Sequence, residues 1–516
     1  MKYQINNFKI KPSEQNDLEN IIKKKLKLND FKFKILLKSI DARNKNDIYV
    51  IYNLMVETDK PLKGNNISLY KEKNYDLEYK NYNHNDRPII VGFGPAGMFC
   101  ALYLARCNAK PIIIERGSKI EIRKKNVDDF LKKKVLNLNS NVQFGEGGAG
   151  TFSDGKLTTN LKDPLINFIL YEFYKHGAKE NILYESKPHI GTDFLEKIVK
   201  NIRLEIESLG GEFYFDTKFI SSCKKDNLLS CKMTSLIDNK EFILDTNHLI
   251  LGLGHSARDT IIDLYKSGLE MTQKAFSMGV RIEHPKDLIN ESQYGKFKDL
   301  LPTAYYKLSA HNNDRGVYTF CMCPGGYVIA SQSDPGTIVV NGMSNSDRDN
   351  INSNSAVLVD IKPSDYDKGN VLDGLYFQEK YEKMAFEISK DYKAPANLCK
   401  EFLNDEVASS LRSVKTTYPH GLKFCNLNRC LPDFVLDNLK FGINEFDKKL
   451  HGFKYDDAII IGIESRSSSP VRIVRDENRE SNIKGIYPIG EGAGYAGGIT
   501  SAALDGLKTA LRIVSE

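Results

Sequence analysis

The chain of 516 residues is 41% hydrophobic and 27% charged, an ordinary globular composition that excludes collagen-like, mucin-like and wholly disordered classes. Its formal net charge of +6 is local: residues 1–83 hold 17 Lys and Arg against 11 Asp and Glu, and the rest of the chain carries 56 of each. A neutral body argues against nucleic acid as a partner bound along a basic groove, and this length suggests roughly three domains at about 150 residues each.

Residues 1–83 read as a small basic α/β domain. Residues 21–26, with Lys23, Lys24 and Lys25, have the composition of a basic helix, and 31–40 and 47–57 are strand-like runs rich in β-branched and aromatic residues. Residues 60–86 are polar, rich in Asn and Tyr, and read as a connection. At Arg87 the pattern changes. Pro88-Ile89-Ile90-Val91 is a short apolar strand leading into Gly92-Phe93-Gly94-Pro95-Ala96-Gly97, residues 98–106 are helical, and 110–115 form a second strand ending in Glu115 and followed by Arg116.

This β-α-β unit carries a dinucleotide fingerprint. Gly92 serves a tight turn, Gly94 lets backbone approach a pyrophosphate, and Gly97 lets helix and strand pack closely, with Pro95 and Ala96 opening the helix whose N-terminus favours an anion. Glu115, 18 positions after Gly97, is placed to bind an adenosine ribose. The far end of the chain points from a generic dinucleotide to FAD. An apolar strand at 486–489 leads into Gly490 and Glu491, then Gly497, Gly498, Ile499 and Thr500 open an apolar-periodic helix over 501–514. That ending supplies a carboxylate for a ribityl hydroxyl and a second helix N-terminus for the pyrophosphate or the flavin edge that gains negative charge on reduction.

Between the two ends, residues 145–151 hold four glycines, Gly145, Gly147, Gly148 and Gly150, before Thr151. Such freedom points to close approach to the isoalloxazine face or the phosphates, with a mobile lid as the competing reading. Lys156 is a candidate neighbour of flavin or of an anionic substrate. A strand at 249–251 ends in Gly252-Leu253-Gly254-His255-Ser256-Ala257, followed by Arg258. This is read as a glycine turn where the chain leaves the FAD domain, in preference to a second, NADP-binding fingerprint, and it makes His255 and Arg258 substrate-side candidates. Arg466 and Arg472, in a hydroxyl-rich run at 464–472, are either an anion clamp or a solvated loop. Cys321-Met322-Cys323 is read as two small residues beside a glycine turn rather than as a redox pair, because such pairs are strained in an extended segment.

Five segments together resemble a known family, the bacterial FAD-dependent oxidoreductases often labelled NAD(FAD)-utilising dehydrogenases. They are residues 91–97, 141–157 (from Asn141-Val142-Gln143-Phe144), 254–259, 320–326 (Phe320-Cys321-Met322-Cys323-Pro324-Gly325-Gly326) and 487–506. The resemblance implies a flavoprotein with noncovalent FAD, a glutathione-reductase-type FAD fold, and an N-terminal domain integral to the architecture. The family pattern leads one to expect threonines where this chain has Ser465 and Ser467.

The expected fold is α/β. Residues 1–83 form the small domain, 84–267 the first part of a Rossmann-like FAD-binding domain, 268–455 an interrupting mixed-sheet substrate or cap domain, and 456–516 the return to the FAD domain. Nine cysteines, an odd number without a Cys-x-x-Cys pair, fit a reducing cytoplasm. No apolar leader opens the chain and its apolar runs have strand length, so a membrane is not expected as a partner. The expected function is FAD-dependent oxidoreduction of a small molecule or redox partner, with NADH or NADPH as the candidate electron donor and no metal site. Two rivals stand beside it: a flavin-dependent RNA-modifying enzyme, motivated by the basic N-terminal sixth, and a flavin-bound sensor or interaction protein without turnover. Substrate, catalytic acid or base, and oligomeric state are not legible.

Overall fold

The computed structural model describes residues 1–72, 75–225 and 228–515. At the N-terminus an antiparallel sheet runs in the order Lys32–Asp41, Tyr49–Glu57, Lys2–Ile10, Ile67–Leu69. Val50, Tyr52, Leu54 and Val56 alternate onto its inner face and are buried with Ile5, Ile10, and Leu18 and Ile22 of the helix Leu18–Leu26. Two of these strands were not expected from the sequence. In Lys2–Ile10 the alternation is broken at Asn6 and Asn7, where the pairing slips between Ile5 and Phe8 and Asn7 adopts φ +57°. Ile67–Leu69 is a three-residue strand inside the polar stretch read as a connection, of which Lys73 and Asn74 lie outside the described residues.

The second sheet is wholly parallel, in the order Ile486–Pro488, Leu249–Leu251, Ile89–Val91, Ile112–Ile114, Glu212–Tyr214. Its four inner and C-terminal strands are buried at every position, as expected of a parallel sheet covered on both faces. One face carries the helices Pro95–Arg106 and Ile499–Val514, which cross so tightly that a Cβ on Gly506 would lie 1.9 Å from the Ala96 carbonyl oxygen. This crossing joins the start of the nucleotide fingerprint to the last helix of the chain. Against the other face packs an antiparallel meander of Thr217–Lys225, Leu228–Ser235 and Glu241–Thr246, through Leu229, Cys231 and Met233.

A mixed sheet of seven strands contains the largest core, in the order Ser309–Asn312, Arg315–Cys323, Asn352–Ile361, Phe276–Pro285, Ile459–Glu464, Ala394–Leu398, Leu422–Phe424. Here the structure corrects the expected boundary at 455/456. Ile459–Glu464 pairs with Phe276–Pro285 inside this sheet, and the chain rejoins the parallel sheet only at Ile486–Pro488. The reason is physical: a fully apolar run such as Ile459-Ile460-Ile461 fits the core of either sheet, and periodicity cannot choose between them. Among the described residues no helix is long and apolar enough to cross a membrane.

Candidate active site

A cleft opens beyond the carboxyl ends of the parallel strands, where ligands enter open α/β sheets. Val91, Gly92, Gly94, Pro95 and Ala96 form one wall. Gly92 adopts φ +93°, and a Cβ there would meet the Gly252 carbonyl oxygen at 2.3 Å, so two glycine turns from distant parts of the chain press together. Gly97 lies behind the wall, its missing Cβ leaving room for the Gly92 carbonyl oxygen at 1.9 Å. Helix Pro95–Arg106 begins at the cleft with Pro at its first position. The helix Ile499–Val514 starts there too, with Gly498 and Ile499 in the lining. First-turn amides of both helices have no acceptor within their own helix.

Glu115 lines the cleft but is already engaged. Its Oε2 accepts from Phe93 N at 2.8 Å, and its Oε1 accepts from Gly117 N and Gly145 N at 2.9 Å each. The carboxylate therefore ties the fingerprint turn to the 140s loop, with one lone pair of its four left for a ribose. Arg116 also lines the cleft, donating to Asp259 at 2.7 Å and lying 4.7 Å over the Phe144 ring.

The glycine-rich loop divides in two. Gly148 and Gly150 line the cleft, and Gly148 packs on Gly94 with its own φ at +63°. Gly145 and Gly147 do not reach it, which corrects their assignment to the flavin. A Cβ on Gly145 would strike Arg123 Cδ at 2.3 Å, and one on Gly147 would strike Thr151 Oγ1 at 2.2 Å. Thr151 is likewise behind the wall, its carbonyl accepting from Thr192 Oγ1. The loop's shape comes from Arg123, whose role no local sequence pattern marks. It is fully buried and donates to the carbonyl oxygens of Asn141, Val142, Gly145 and Glu146 at 2.7 to 3.3 Å. Burial pulls its pKa down to about 10, while Glu115 and Glu146 pull the other way, so it stays charged at neutral pH. Only its spacing from the loop, an Arg about twenty residues upstream, was visible in sequence.

From the third strand's turn, Gly252, Gly254 and His255 line the cleft. Gly254 adopts φ +70° with nothing within 4 Å of its Cβ position, so open space faces it. His255 is buried, with Nδ1 3.7 Å from Glu491 Oε2 and Nε2 lacking any partner. Gly490 and Glu491 line the cleft, the Gly490 amide donating to Asp505 Oδ2. Gly497 and Thr500 stand off it, and Thr500 Oγ1 is spent on the Leu157 carbonyl oxygen.

The arginine candidates are corrected most. Arg258 is buried away from the lining and paired through both Nη atoms with Glu382. Arg466 reaches the lining, yet its guanidinium is used by Glu382, Asp334, Ser333 and Ser256. It is neither a free anion clamp nor a solvated loop residue. Arg472 is exposed and outside the lining, over the Tyr495 ring at 5.2 Å. Lys156 does line the cleft, donating to the Met322 carbonyl oxygen. Away from the cleft, Glu172, His176 and Glu205 bring ligand atoms together, but Arg106 donates to Glu172 at 2.6 Å and to Glu205 at 2.7 Å there.

Comparison with known proteins then places the chain. An uncharacterized protein of Clostridium beijerinckii is 45% identical over 537 residues, covering 100% of this chain and 99% of the relative. The chain belongs to the family of this clostridial protein. Residues 275–467 match the family described as FAD-dependent protein, C-terminal domain-like, and residues 1–57 match a domain of unknown function, DUF8436. Among solved structures, a geranylgeranyl bacteriochlorophyll reductase-like protein from Thermoplasma acidophilum shares 12% identity, with 85% of this chain and 79% of that one covered at a TM-score of 0.38. The glycerol-3-phosphate dehydrogenase from Bacillus halodurans, complexed with FAD, shares 8% identity with 84% and 65% covered at a TM-score of 0.37. No chemistry follows from likeness at that level.

Proposed function

We propose that the protein is an FAD-dependent oxidoreductase acting on a small molecule or a redox partner. One observation carries the reading: two helix N-termini, from opposite ends of the chain, open on one cleft with glycines at Gly94 and Gly498 immediately before them. Paired donor ends of this kind suit a pyrophosphate and a second electron-rich group. The residues present fit FAD on two further grounds, the open space at Gly254 and the unpartnered Nε2 of His255 in the same wall. The match of residues 275–467 to an FAD-dependent C-terminal domain supports it.

Bound FAD would supply acceptance and onward transfer of a hydride or of electrons. The chain's own residues do the holding. Backbone amides at the starts of the two helices bind phosphate, Glu115 fixes the turn that presents Gly94, and His255 offers Nε2 to a polar ligand atom. Arg466, locked by Glu382 and Asp334, gives the lining a rigid, charge-balanced patch that does not move to meet a ligand. Nine free cysteines suit a reducing cytoplasm.

The test is anaerobic addition of NADH and NADPH to separate samples of the flavin-loaded protein. Bleaching of the flavin bands within seconds by one of them supports an oxidoreductase fed by that nucleotide. Bands that stay oxidised with both nucleotides and with chemical donors of graded potential, beyond the rate of free flavin, would overturn turnover in favour of a sensor.

A further inference from the structure

Cys321 and Cys323 take no part in the reading above, yet Cys321 faces the cleft. Cys321 is partly exposed in its lining and Cys323 is buried behind it. In a regular strand, residues two apart stand roughly 6.6 Å from each other, at the far limit of a disulfide. This segment is not regular. Cys321 adopts φ +42°, left-handed backbone that a non-glycine residue enters at a cost, and the pairing of Arg315–Cys323 with Asn352–Ile361 slips between Phe320 and Cys323. The bulge turns the Cys323 side chain back toward the backbone of its neighbour, its Sγ 3.2 Å from the Cys321 carbonyl oxygen. The objection from an extended segment therefore does not apply.

Two cations serve this pair. Lys156 donates to the carbonyl oxygen of Met322, the residue between the cysteines, and Arg281 Nη1 lies 3.1 Å from the Cys321 carbonyl oxygen and 4.0 Å from Cys323 Sγ. The anions nearby are turned toward those cations: Asp154 lies 3.7 Å from Lys156 Nζ and is paired with Arg348, while Glu464 binds Arg281 at 2.7 Å. Tyr305 closes the side, 5.7 Å from Lys156 Nζ to its ring. Hydrogen bonding from Cys323, then Lys156 and Arg281, hold the Cys321 thiol well below its ordinary range against burial and Asp154. The same hydrogen bond and burial push Cys323 well up. Access divides the roles: Cys321, in the lining, is the thiol a ligand can reach, and Cys323, buried behind it, is placed to resolve.

We infer that Cys321 and Cys323 form a redox dithiol that reduces a low-molecular-weight disulfide admitted to the cleft. The Cys321 thiolate attacks one sulfur of the disulfide; that S–S bond breaks, a mixed disulfide forms, and the first thiolate leaves and takes a proton. Cys323 loses its proton and attacks Cys321 Sγ, the mixed disulfide breaks, and the second thiol leaves. Two cysteine thiols are oxidised to one disulfide, and the substrate gains two electrons and two protons. Resetting the pair rests on the flavoprotein reading, in which FAD held in the cleft would supply the two electrons and two protons, whereas the exchange itself needs no cofactor.

The test starts with the wild-type protein. Tryptic peptide 316–348 contains both cysteines and no other. At pH 6 an ordinary thiol is only about 0.3% thiolate, so iodoacetamide should label Cys321 about ten times faster than the exposed Cys223. Treatment with hydroxyethyl disulfide, followed by N-ethylmaleimide, should return peptide 316–348 two hydrogens lighter and unblocked. Cys323→Ser should instead retain the probe on Cys321. Labelling of Cys321 no faster than Cys223, or a peptide that still takes up two maleimides, overturns the inference. Flavin absorbance read on the same sample separates the two proposals: bound flavin with inert thiols defeats only the dithiol, and reactive thiols without flavin defeat only the FAD reading.

Discussion

Glu382 receives both arms of the Arg258 guanidinium, Nη1 to Oε2 at 2.8 Å and Nη2 to Oε1 at 2.7 Å, across 124 residues of chain. Arg466 shares the same carboxylate, and Ser465 Oγ completes it at 2.7 Å. The cluster bolts the helix Asp373–Ser389 to the turn that carries His255 and to the run that follows Ile459–Glu464.

Removing the carboxylate leaves two buried guanidiniums with only the partly exposed Asp334 between them. Glu382→Gln should therefore destabilise the protein by about 3–5 kcal/mol, measured as a shift of the denaturant midpoint at unchanged slope. Double replacement with Arg258→Met should recover part of the loss, because the cost lies in the unpaired charge rather than in the missing attraction.

The same cluster sets an acid response. Burial alone would raise the Glu382 pKa, but Arg258 and Arg466 hold it far below the usual carboxylate range. With the folded value below the unfolded value of about 4.3, the contribution is fully present above pH 5 and is lost as pH falls toward the folded pKa. Thermal unfolding of wild type should drop more steeply between pH 5 and pH 3 than that of Glu382→Gln; parallel curves would contradict the pairing.

Arg123 should prove structural and cofactor-linked at once. Arg123→Met strips the buried donor from four carbonyl oxygens, at about 1–3 kcal/mol for each group left without a partner or water. Loss of several kcal/mol in stability should be matched by weaker FAD retention, because Gly148 and Gly150 ride on the same loop.

These residues also mark how much the sequence disclosed. The fingerprint at Gly92 to Gly97 and the glycine turn before Ile499 were legible because each is a local pattern with a local cause. Arg123, Glu382 and the true neighbours of Gly145 were not, because a buried charge finds its partner in three dimensions and polar residues far apart carry no mark of pairing. Glycines were over-read for the same reason: Gly145 is free of a side chain to admit Arg123, and its composition is indistinguishable from that of Gly148, which faces the cleft. The strand Ile459–Glu464 falls inside the segment expected to return to the FAD domain, yet it pairs in the other sheet, since nothing in an isoleucine run names its neighbour.

His255 and Arg472 offer a contrast. His255→Ala should lower FAD affinity or the rate of flavin reduction about tenfold, the loss of about one hydrogen bond to the ligand, since its Nε2 has no protein partner to lose. Arg472→Ala, exposed on Val471–Ile473, should leave both within experimental error, with stability moved by no more than about 0.5 kcal/mol. Flavin fluorescence titration and stopped-flow reduction check the pair.

The most direct measurement is the absorbance spectrum of the purified protein, repeated after stripping the bound small molecules and titrating with FAD. Flavin bands at stoichiometric occupancy, released as FAD on denaturation and regained on titration, are expected from a cleft closed by both ends of the chain. A colourless protein that binds no FAD, while remaining folded and carrying the cleft, would contradict the assignment.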